Sequence, residues 1–304
     1  MPAAVTVRVP ATIANLGPGF DALGIAVQIH LTIDVEPRRD SIDLKIEGEG
    51  ADELPSDDSN LVLQAMNAFF DHVARRPAGF SVHIKNPIPL ASGLGSSAAA
   101  VVGGLTAARA LTGSRVPQTE MIQLATELEG HPDNVLPALL GGLVVCYTAA
   151  RGGDVRYMRL DPSERLVPIL CVPREGYPTS KARQALPGSV SMEDAQFTAS
   201  RAGLLVGAVV TGAGSEVLGE AMSDRLHEPT RLKLMPETAA LQEELRSADL
   251  PVALAGAGPS LLLIVPRPEA ATRIEQVRRV LKERAAGWRV FVSEWEPEGA
   301  TATA

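Results

Sequence analysis

The residues best suited to chemistry form a run of glycine, serine and alanine in the first third of the chain. The run is Pro89, Leu90, Ala91, Ser92, Gly93, Leu94, Gly95, Ser96, Ser97, Ala98 and Ala99. Glycine tolerates positive φ and lets backbone amides approach a ligand closely. The free N–H groups and the dipole at a helix start favour an anion. A serine-capped buried helix after a glycine turn would also fit, but glycines, paired serines and a small-residue helix together favour phosphate binding.

Two familiar nucleotide motifs are excluded for this run. It has no Gly-Lys-Ser/Thr, so it is not a P-loop, and its glycine spacing does not match the Rossmann fingerprint.

A second cluster lies at the end of a predicted helix over 118–129 and in the loop that we expect after it. Its members are Glu127, Glu129, His131, Asp133 and Asn134. Carboxylate oxygens next to a polyphosphate suit Mg²⁺, which proteins hold through one or two carboxylates plus substrate phosphates. An ordinary polar helix end would show the same residues, so both interpretations stay open. From the residues alone, Asp133 is a candidate general base for a hydroxyl group.

Two further motifs are turn-like. We expect residues 10–24 to be a loop between strands, in which Asn15 and Asp21 either make turn hydrogen bonds or hold a small polar substrate. Residues 256–260, Gly-Ala-Gly-Pro-Ser, predict a tight turn between apolar strands.

Strands and helices alternate along the chain and must position these motifs. Residues 27–35 alternate apolar and polar side chains, which predicts a half-buried strand, whereas 60–76 has helical spacing. The mixture predicts an α+β fold in two layers. A polar stretch near 161–166 places a boundary between residues 1–162 and 163–295, and we expect 296–304 to be a disordered tail.

Composition limits the function. The net charge is −8 and charged residues make up 21% of the chain, which excludes a general nucleic-acid binder and a disordered chain. Cys146 and Cys171 lie in apolar runs and are expected to be buried strand residues rather than a disulfide or zinc site. Neither a secretory signal nor a membrane-spanning apolar run is apparent, so a soluble cytoplasmic protein is expected.

Taken together, the four motifs resemble those of the GHMP kinases and, within that superfamily, of the homoserine kinase family. The resemblance covers about residues 5–295 in the same order. It implies an N-terminal α+β domain with a left-handed β-α-β crossover, against the usual handedness, and a ferredoxin-like C-terminal α/β sandwich. It also implies ATP-dependent phosphorylation of the L-homoserine hydroxyl, a step towards threonine, with Mg²⁺ and a homodimer.

The same resemblance implies roles for individual residues. Pro89 to Ala99 would wrap the ATP phosphates, and Asn60 would lie near the adenine. Ser97 with Glu127 would position Mg²⁺, and Glu129 is the rival ligand. The residues implied for the substrate are Asn15, Asp21, His131, Asn134, Thr179, Arg183, Arg231 and Gly258.

In that set, Asn134 would hold the reacting hydroxyl, and Arg183 and Arg231 would bind the carboxylate, since a guanidinium offers a matching fork of donors. The resemblance argues against Asp133 as a base and favours direct attack on the γ-phosphate. A GHMP kinase for another small alcohol and a non-catalytic nucleotide-binding relative stay as alternatives.

Overall fold

The computed structural model describes residues 4–150 and 153–303. In these ranges the strands are β1 (Val5–Asn15), β2 (Gly19–Arg38), β3 (Ile42–Gly48), β4 (Gly79–Asn86), β5 (Leu143–Thr148), β6 (Val155–Leu160), β7 (Leu166–Val172), β8 (Val252–Leu254), β9 (Leu261–Pro266), β10 (Arg289–Val292) and β11 (Thr301–Thr303). The α-helices are α1 (Leu61–His72), α2 (Ser96–Thr112), α3 (Gln118–Glu129), α4 (Pro132–Leu140), α5 (Thr179–Gln184), α6 (Met192–Thr211), α7 (Ser215–Ala221), α8 (Glu228–Lys233), α9 (Pro236–Ser247) and α10 (Ala270–Arg284).

The first sheet contains the long antiparallel hairpin of β1 and β2. Its strand order is β11-β1-β2-β4-β3, and β5 pairs with both β2 and β6. Strands β3 and β4 are parallel neighbours, and α1 lies between them in the chain, so they form a β-α-β unit. The hand of this crossover stays a prediction. The alternating apolar residues of β2, such as Ile33 and Val35, are fully buried in the core.

The second sheet has the order β10-β7-β9-β8, and all of its pairs are antiparallel. Helices separate β7 from β8 and β9 from β10, which gives the β-α-β-β-α-β arrangement of a ferredoxin-like fold. The expected α+β class and ferredoxin-like C-terminal part are therefore confirmed. The chain changes sheets between Leu160 and Leu166.

Small residues allow α2 to pack closely against its neighbours. A Cβ atom added at Gly104 would lie 2.4 Å from the Val62 carbonyl oxygen of α1, and one at Gly103 would lie 2.5 Å from the Ile33 side chain. A larger residue at either position would push the helix away from the core. This close packing fixes the first turn of α2, where the serine pair lies.

The structure corrects three expectations about local structure. Residues 10–24 are mostly strand, because β1 and β2 continue up to a short turn in which Leu16 and Gly17 have positive φ. The His-Pro-Asp-Asn stretch begins a helix, α4, with Pro132 in its first turn, where a missing N–H costs nothing.

The third correction concerns residues 296–303 of the expected tail, which are ordered rather than disordered. Its strand β11 pairs with residues 6–8 of β1. The Gly142 amide donates to the Glu296 carbonyl oxygen at 2.7 Å, and the Ala300 amide donates to the Ala138 carbonyl oxygen at 2.8 Å. The tail is therefore part of the first sheet and contacts the end of α4.

Two other expectations concern buried thiols and membranes. Cys146 and Cys171 are free, buried strand residues as predicted, and burial raises the pKa of each thiol to about 12. Among the described helices, none has the length and apolarity needed to cross a bilayer.

Candidate active site

A cleft of about 600 Å³ collects most of the residues that the sequence singles out. Both halves of the chain contribute to it. Its polar lining includes Asn15, Asn60, Ser92, Ser96, Ser97, Glu129, His131, Asp133, Asn134, Thr179, Arg183 and Arg231, and its glycines are Gly93, Gly95 and Gly256. Four motifs that are far apart in sequence therefore meet at one site.

The backbone of the glycine-serine run packs against neighbouring segments at two positions where only glycine fits. Gly93 and Gly95 have φ of +83° and +68°. A Cβ at Gly93 would lie 2.1 Å from the Ala255 carbonyl oxygen, and one at Gly95 would lie 2.1 Å from Thr12 Oγ1. Only glycine fits these contacts without a shift. Because Gly95 is the N-cap of α2 and has no side chain, the amides of the first helical turn stay available to an anion.

The carboxylate beside Ser97 is Glu129, not Glu127. Ser97 Oγ donates to Glu129 Oε1 at 2.5 Å, whereas Glu127 accepts from Gln123 on an exposed part of α3. Residues two apart on a helix point in nearly opposite directions, so only one of the two can face the cleft. Burial raises the pKa of Glu129. The expectation that Glu127 is the metal ligand is therefore wrong, because Glu127 contacts neither Ser97 nor the cleft.

The first turn of α4 presents a second polar group to the cleft. His131 Nδ1 lies 2.6 Å from Asp133 Oδ1, and this hydrogen bond raises the pKa of His131. Asn134 Oδ1 accepts from Thr12 Oγ1 at 2.9 Å, which leaves its amide N–H groups to donate elsewhere. Asp133 is almost fully buried, and its carboxylate is engaged by His131.

The turn of the β1–β2 hairpin is held by the amide of Asn15. Its Nδ2 donates to the Gly256 carbonyl oxygen at 2.8 Å, and its Oδ1 accepts from the Asp21 amide at 3.0 Å. Asp21 has a positive φ of 52° and forms a bidentate pair with Arg183 at 2.8 and 2.9 Å. Asp21 therefore lies behind Arg183 rather than in the cleft lining.

Arg231 is the most deeply buried cation of the site, with only 1% of its surface exposed. Its Nη1 lies 3.0 Å from His227 Nδ1 and 3.2 Å from the Gly256 carbonyl oxygen, and its Nε has no partner among the described residues. Burial lowers the pKa of Arg231. A buried guanidinium with an unused donor is a strong attractor for a carboxylate.

Several residues that were expected to bind ligands stabilise the fold or lie outside the cleft lining. Asn60 lines the cleft, but its Oδ1 caps α1 at Val62 N and its Nδ2 donates to the Pro55 carbonyl oxygen, so each end of its amide already has a structural partner. The expected residues that do not line the cleft are Asp21, Pro89, Ala98, Ala99, Glu127 and Gly258. The two alanines are fully buried, and so they pack α2 against the core.

Sequence patterns predict no role for two residues near the site, Thr12 and His227. Thr12 connects β1 to the glycine-serine run, because its amide also donates to the Leu94 carbonyl oxygen at 3.1 Å. His227 contacts Arg231 and precedes α8, where Asp224 accepts hydrogen bonds from the amides of His227 and Glu228. An aspartate whose side chain bonds the amides that follow it is typical of a turn, and this residue type before Pro229 could have located the turn.

Comparisons with known proteins show the family of the chain. Residues 60–142 match the family model of the GHMP kinases N terminal domain, and 215–283 match that of the GHMP kinases C terminal. The chain is 41% identical to the homoserine kinase of Streptomyces avermitilis, over 94% of this chain and 91% of that one. It is 39% identical to that of Carboxydothermus hydrogenoformans, over 88% of each.

Solved structures show the same relationship. The homoserine kinase from Cytophaga hutchinsonii is similar with a TM-score of 0.84 and 26% identity, over 100% of this chain and 98% of that one. A mevalonate kinase is similar with a TM-score of 0.70 and 16% identity, over 96% and 99%, and shows the shared fold. The sequence relatives cover nearly the whole chain, and its motifs meet in one cleft, so the chain belongs to the homoserine kinase family of the GHMP kinases.

Proposed function

We propose that this chain transfers the γ-phosphate of ATP to the hydroxyl of L-homoserine, giving O-phospho-L-homoserine, a precursor of threonine. One observation carries the proposal: a buried arginine with an unused donor, Arg231, shares a cleft with the glycine-serine run. The first feature suits a carboxylate, and the second suits phosphates. The substrate would therefore have a carboxylate at one end and a reacting hydroxyl near the phosphates.

The nucleotide would use both the anion site and the apolar part of the cleft. The amides of the first turn of α2 would bind the phosphates. The adenine end would lie against apolar lining residues, which include Leu54, Pro55, Leu61, Val62 and Leu90. Asn60 would act by shaping this wall rather than by contacting the base, since it is buried and each end of its amide already bonds the protein.

The donors for Mg²⁺ in this proposal are Ser97 and Glu129. Among the described residues, no group of three or more carboxylate, histidine or cysteine side chains could hold a metal by itself. Mg²⁺ needs only one or two carboxylates when substrate phosphates supply the other ligands, so this donor pair fits. When bound, Mg²⁺ would neutralise charge on the transferring phosphate.

The reacting hydroxyl would be held by Asn134 and would attack the γ-phosphorus directly. The O–P bond to the substrate would form as the bond to ADP breaks, and the hydroxyl proton would pass to a phosphate oxygen. Asp133 is a poor base in this arrangement, because its buried carboxylate already accepts from His131. The loose transition state of phosphoryl transfer needs mainly alignment and charge stabilisation.

A coupled ADP-release assay tests the proposal. The purified chain would be given ATP and Mg²⁺ with L-homoserine, mevalonate, galactose or no second substrate. We expect turnover with L-homoserine to exceed that of each other arm. Faster turnover with another alcohol would support a different GHMP kinase, and no turnover in any arm would support a non-catalytic relative.

Family membership also leads us to propose a homodimer located in the cytoplasm. Light scattering of the purified chain would test the oligomeric state, and a monomer at micromolar concentration would contradict it.

A further inference from the structure

His227 contacts Arg231 and is buried to the same degree, with 1% of its side chain exposed. Both of its ring nitrogens have partners. Nε2 lies 2.7 Å from the Gly17 carbonyl oxygen in the β1–β2 turn, and Nδ1 lies 3.0 Å from Arg231 Nη1. The imidazole thus connects the hairpin turn of the first sheet to an arginine of the second half of the chain.

The partners determine the protonation of the ring. A guanidinium can only donate and a carbonyl oxygen can only accept, so His227 must carry its proton on Nε2 and accept at Nδ1. The ring is therefore neutral, and burial lowers the pKa of His227 in agreement with this. The main chain of His227 is fixed as well, because its amide donates to Asp224 at 2.8 Å.

Phe20 completes the surroundings of the arginine. Its ring centroid lies 5.2 Å from that of His227 and 5.5 Å from Arg231 Cζ. Both recorded hydrogen bonds of the guanidinium use Nη1, so among the described residues neither the buried Nε nor Nη2 of Arg231 has a hydrogen-bond partner. Without an acceptor at His227 Nδ1, a further buried donor of Arg231 would be unsatisfied, and it would reorient towards another acceptor.

We propose that His227 is a positioning residue: its neutral Nδ1 fixes the guanidinium of Arg231 in the orientation that binds the substrate carboxylate. This inference rests on the proposed function, in which Arg231 contacts that carboxylate. It assigns the orientation of the arginine to a residue that would not touch the substrate itself.

Two substitutions each remove one of the two hydrogen bonds of the His227 ring. In His227→Asn the amide oxygen replaces Nδ1 as acceptor, and the contact to Gly17 is lost. In His227→Gln the amide nitrogen replaces Nε2 as donor, and the acceptor for Arg231 is lost. We expect His227→Gln to raise the KM for L-homoserine about tenfold, the cost of one hydrogen bond to a charged group, with kcat and the KM for ATP changed less than about twofold on the same reasoning. His227→Asn should keep a KM near that of the unaltered chain.

A second test combines His227→Gln with Arg231→Gln and measures the KM for L-homoserine of the double variant. If His227 acts through Arg231, His227→Gln should add almost nothing to the KM of Arg231→Gln, because residues that act as one unit are not additive. Equal KM values for the two His227 variants, or additive effects in the double variant, would overturn the inference.

Nitrogen-15 NMR tests the contact without any substitution, and so it applies even if His227→Gln does not fold. A neutral ring protonated at Nε2 is expected, and a proton on Nδ1 would overturn the inference. Failure of the unaltered chain to phosphorylate L-homoserine would instead refute the proposed function, and this inference with it.

Discussion

The closest backbone approach in the proposed phosphate site is at Gly93, and it gives a sharp test. This residue has φ of +83°, and an added Cβ would lie 2.1 Å from the Ala255 carbonyl oxygen and 3.1 Å from that of Gly258. Real Cβ atoms do not approach other heavy atoms closer than 3.0 Å. Because both sides of the contact are backbone, Gly93→Ala must separate the glycine-serine run from the Gly256 turn by about 1 Å.

Two separate costs follow from that substitution. An L-residue in the left-handed region loses about 1–2 kcal/mol, which lowers the free energy of unfolding. The displacement weakens the packing as well, and it also acts on the reaction, because a shift of about 1 Å in a positioning element can lower the rate by about 100-fold. This loss in kcat corresponds to about 2.7 kcal/mol of transition-state stabilisation.

Gly113→Ala is the matched control. Gly113 ends the same helix with φ of +64°, and an added Cβ would have no neighbour within 4 Å. Both variants should lose stability in urea titrations, and Gly93→Ala should lose more because its Cβ also meets backbone, but only Gly93→Ala should lose kcat in the ADP-release assay. If Gly93→Ala keeps a kcat within a few-fold of Gly113→Ala, the assignment of this run to phosphate alignment is refuted.

Three further experiments test the metal ligand, the reacting hydroxyl and the C-terminal tail. Glu129→Gln should raise the Mg²⁺ concentration needed for half-maximal rate by about tenfold or more, since it removes the carboxylate beside Ser97, whereas Glu127→Gln should leave it unchanged. Asp133→Asn should lower kcat less than about tenfold, and Asn134→Ala should lower it about 100-fold, if alignment rather than a base drives the reaction. Deletion of residues 296–304 should lower the Tm by about 5 °C in calorimetry, because hydrogen bonds to the end of α4 and the β1–β11 pairs are lost.

For each of these expectations, one result would contradict it. Equal Mg²⁺ dependence of the two glutamate variants would contradict the choice of Glu129. A steep loss of kcat in Asp133→Asn with an unchanged KM for L-homoserine would show that a base is required. An unchanged Tm of the shortened chain would show that the tail strand contributes little to stability.

Local features of the chain were predictable because their causes are local. Helix α3 has the predicted bounds, 118–129, and it ends at Gly130 in a left-handed conformation, as a glycine after the last helical turn indicates. The start of α2 at Ser96 follows from the glycine-serine run that precedes it. Periodicity and capping act over a few residues, and so the sequence contains the whole signal.

Contacts between distant segments were not predictable in the same way. Helix periodicity shows that Glu127 and Glu129 point in different directions, but it does not show which face meets Ser97. The Thr-Ala-Thr segment of β11 has no apolar pattern, and its partners on β1 are nearly a chain length away. A short polar segment gains a defined structure only when a strand edge is available to it.

The sequence by itself determined the family motifs, the α+β class and the ligand chemistry proposed for the cleft, because residue types and local spacing fix which groups can bind anions and cap helices. Only the tertiary structure decided that Glu129 faces Ser97, that Asp21 supports Arg183, and that Arg231 is buried against His227. An arginine is expected at the surface from its type alone. Its burial here depends on packing between both halves of the chain, which no local pattern encodes.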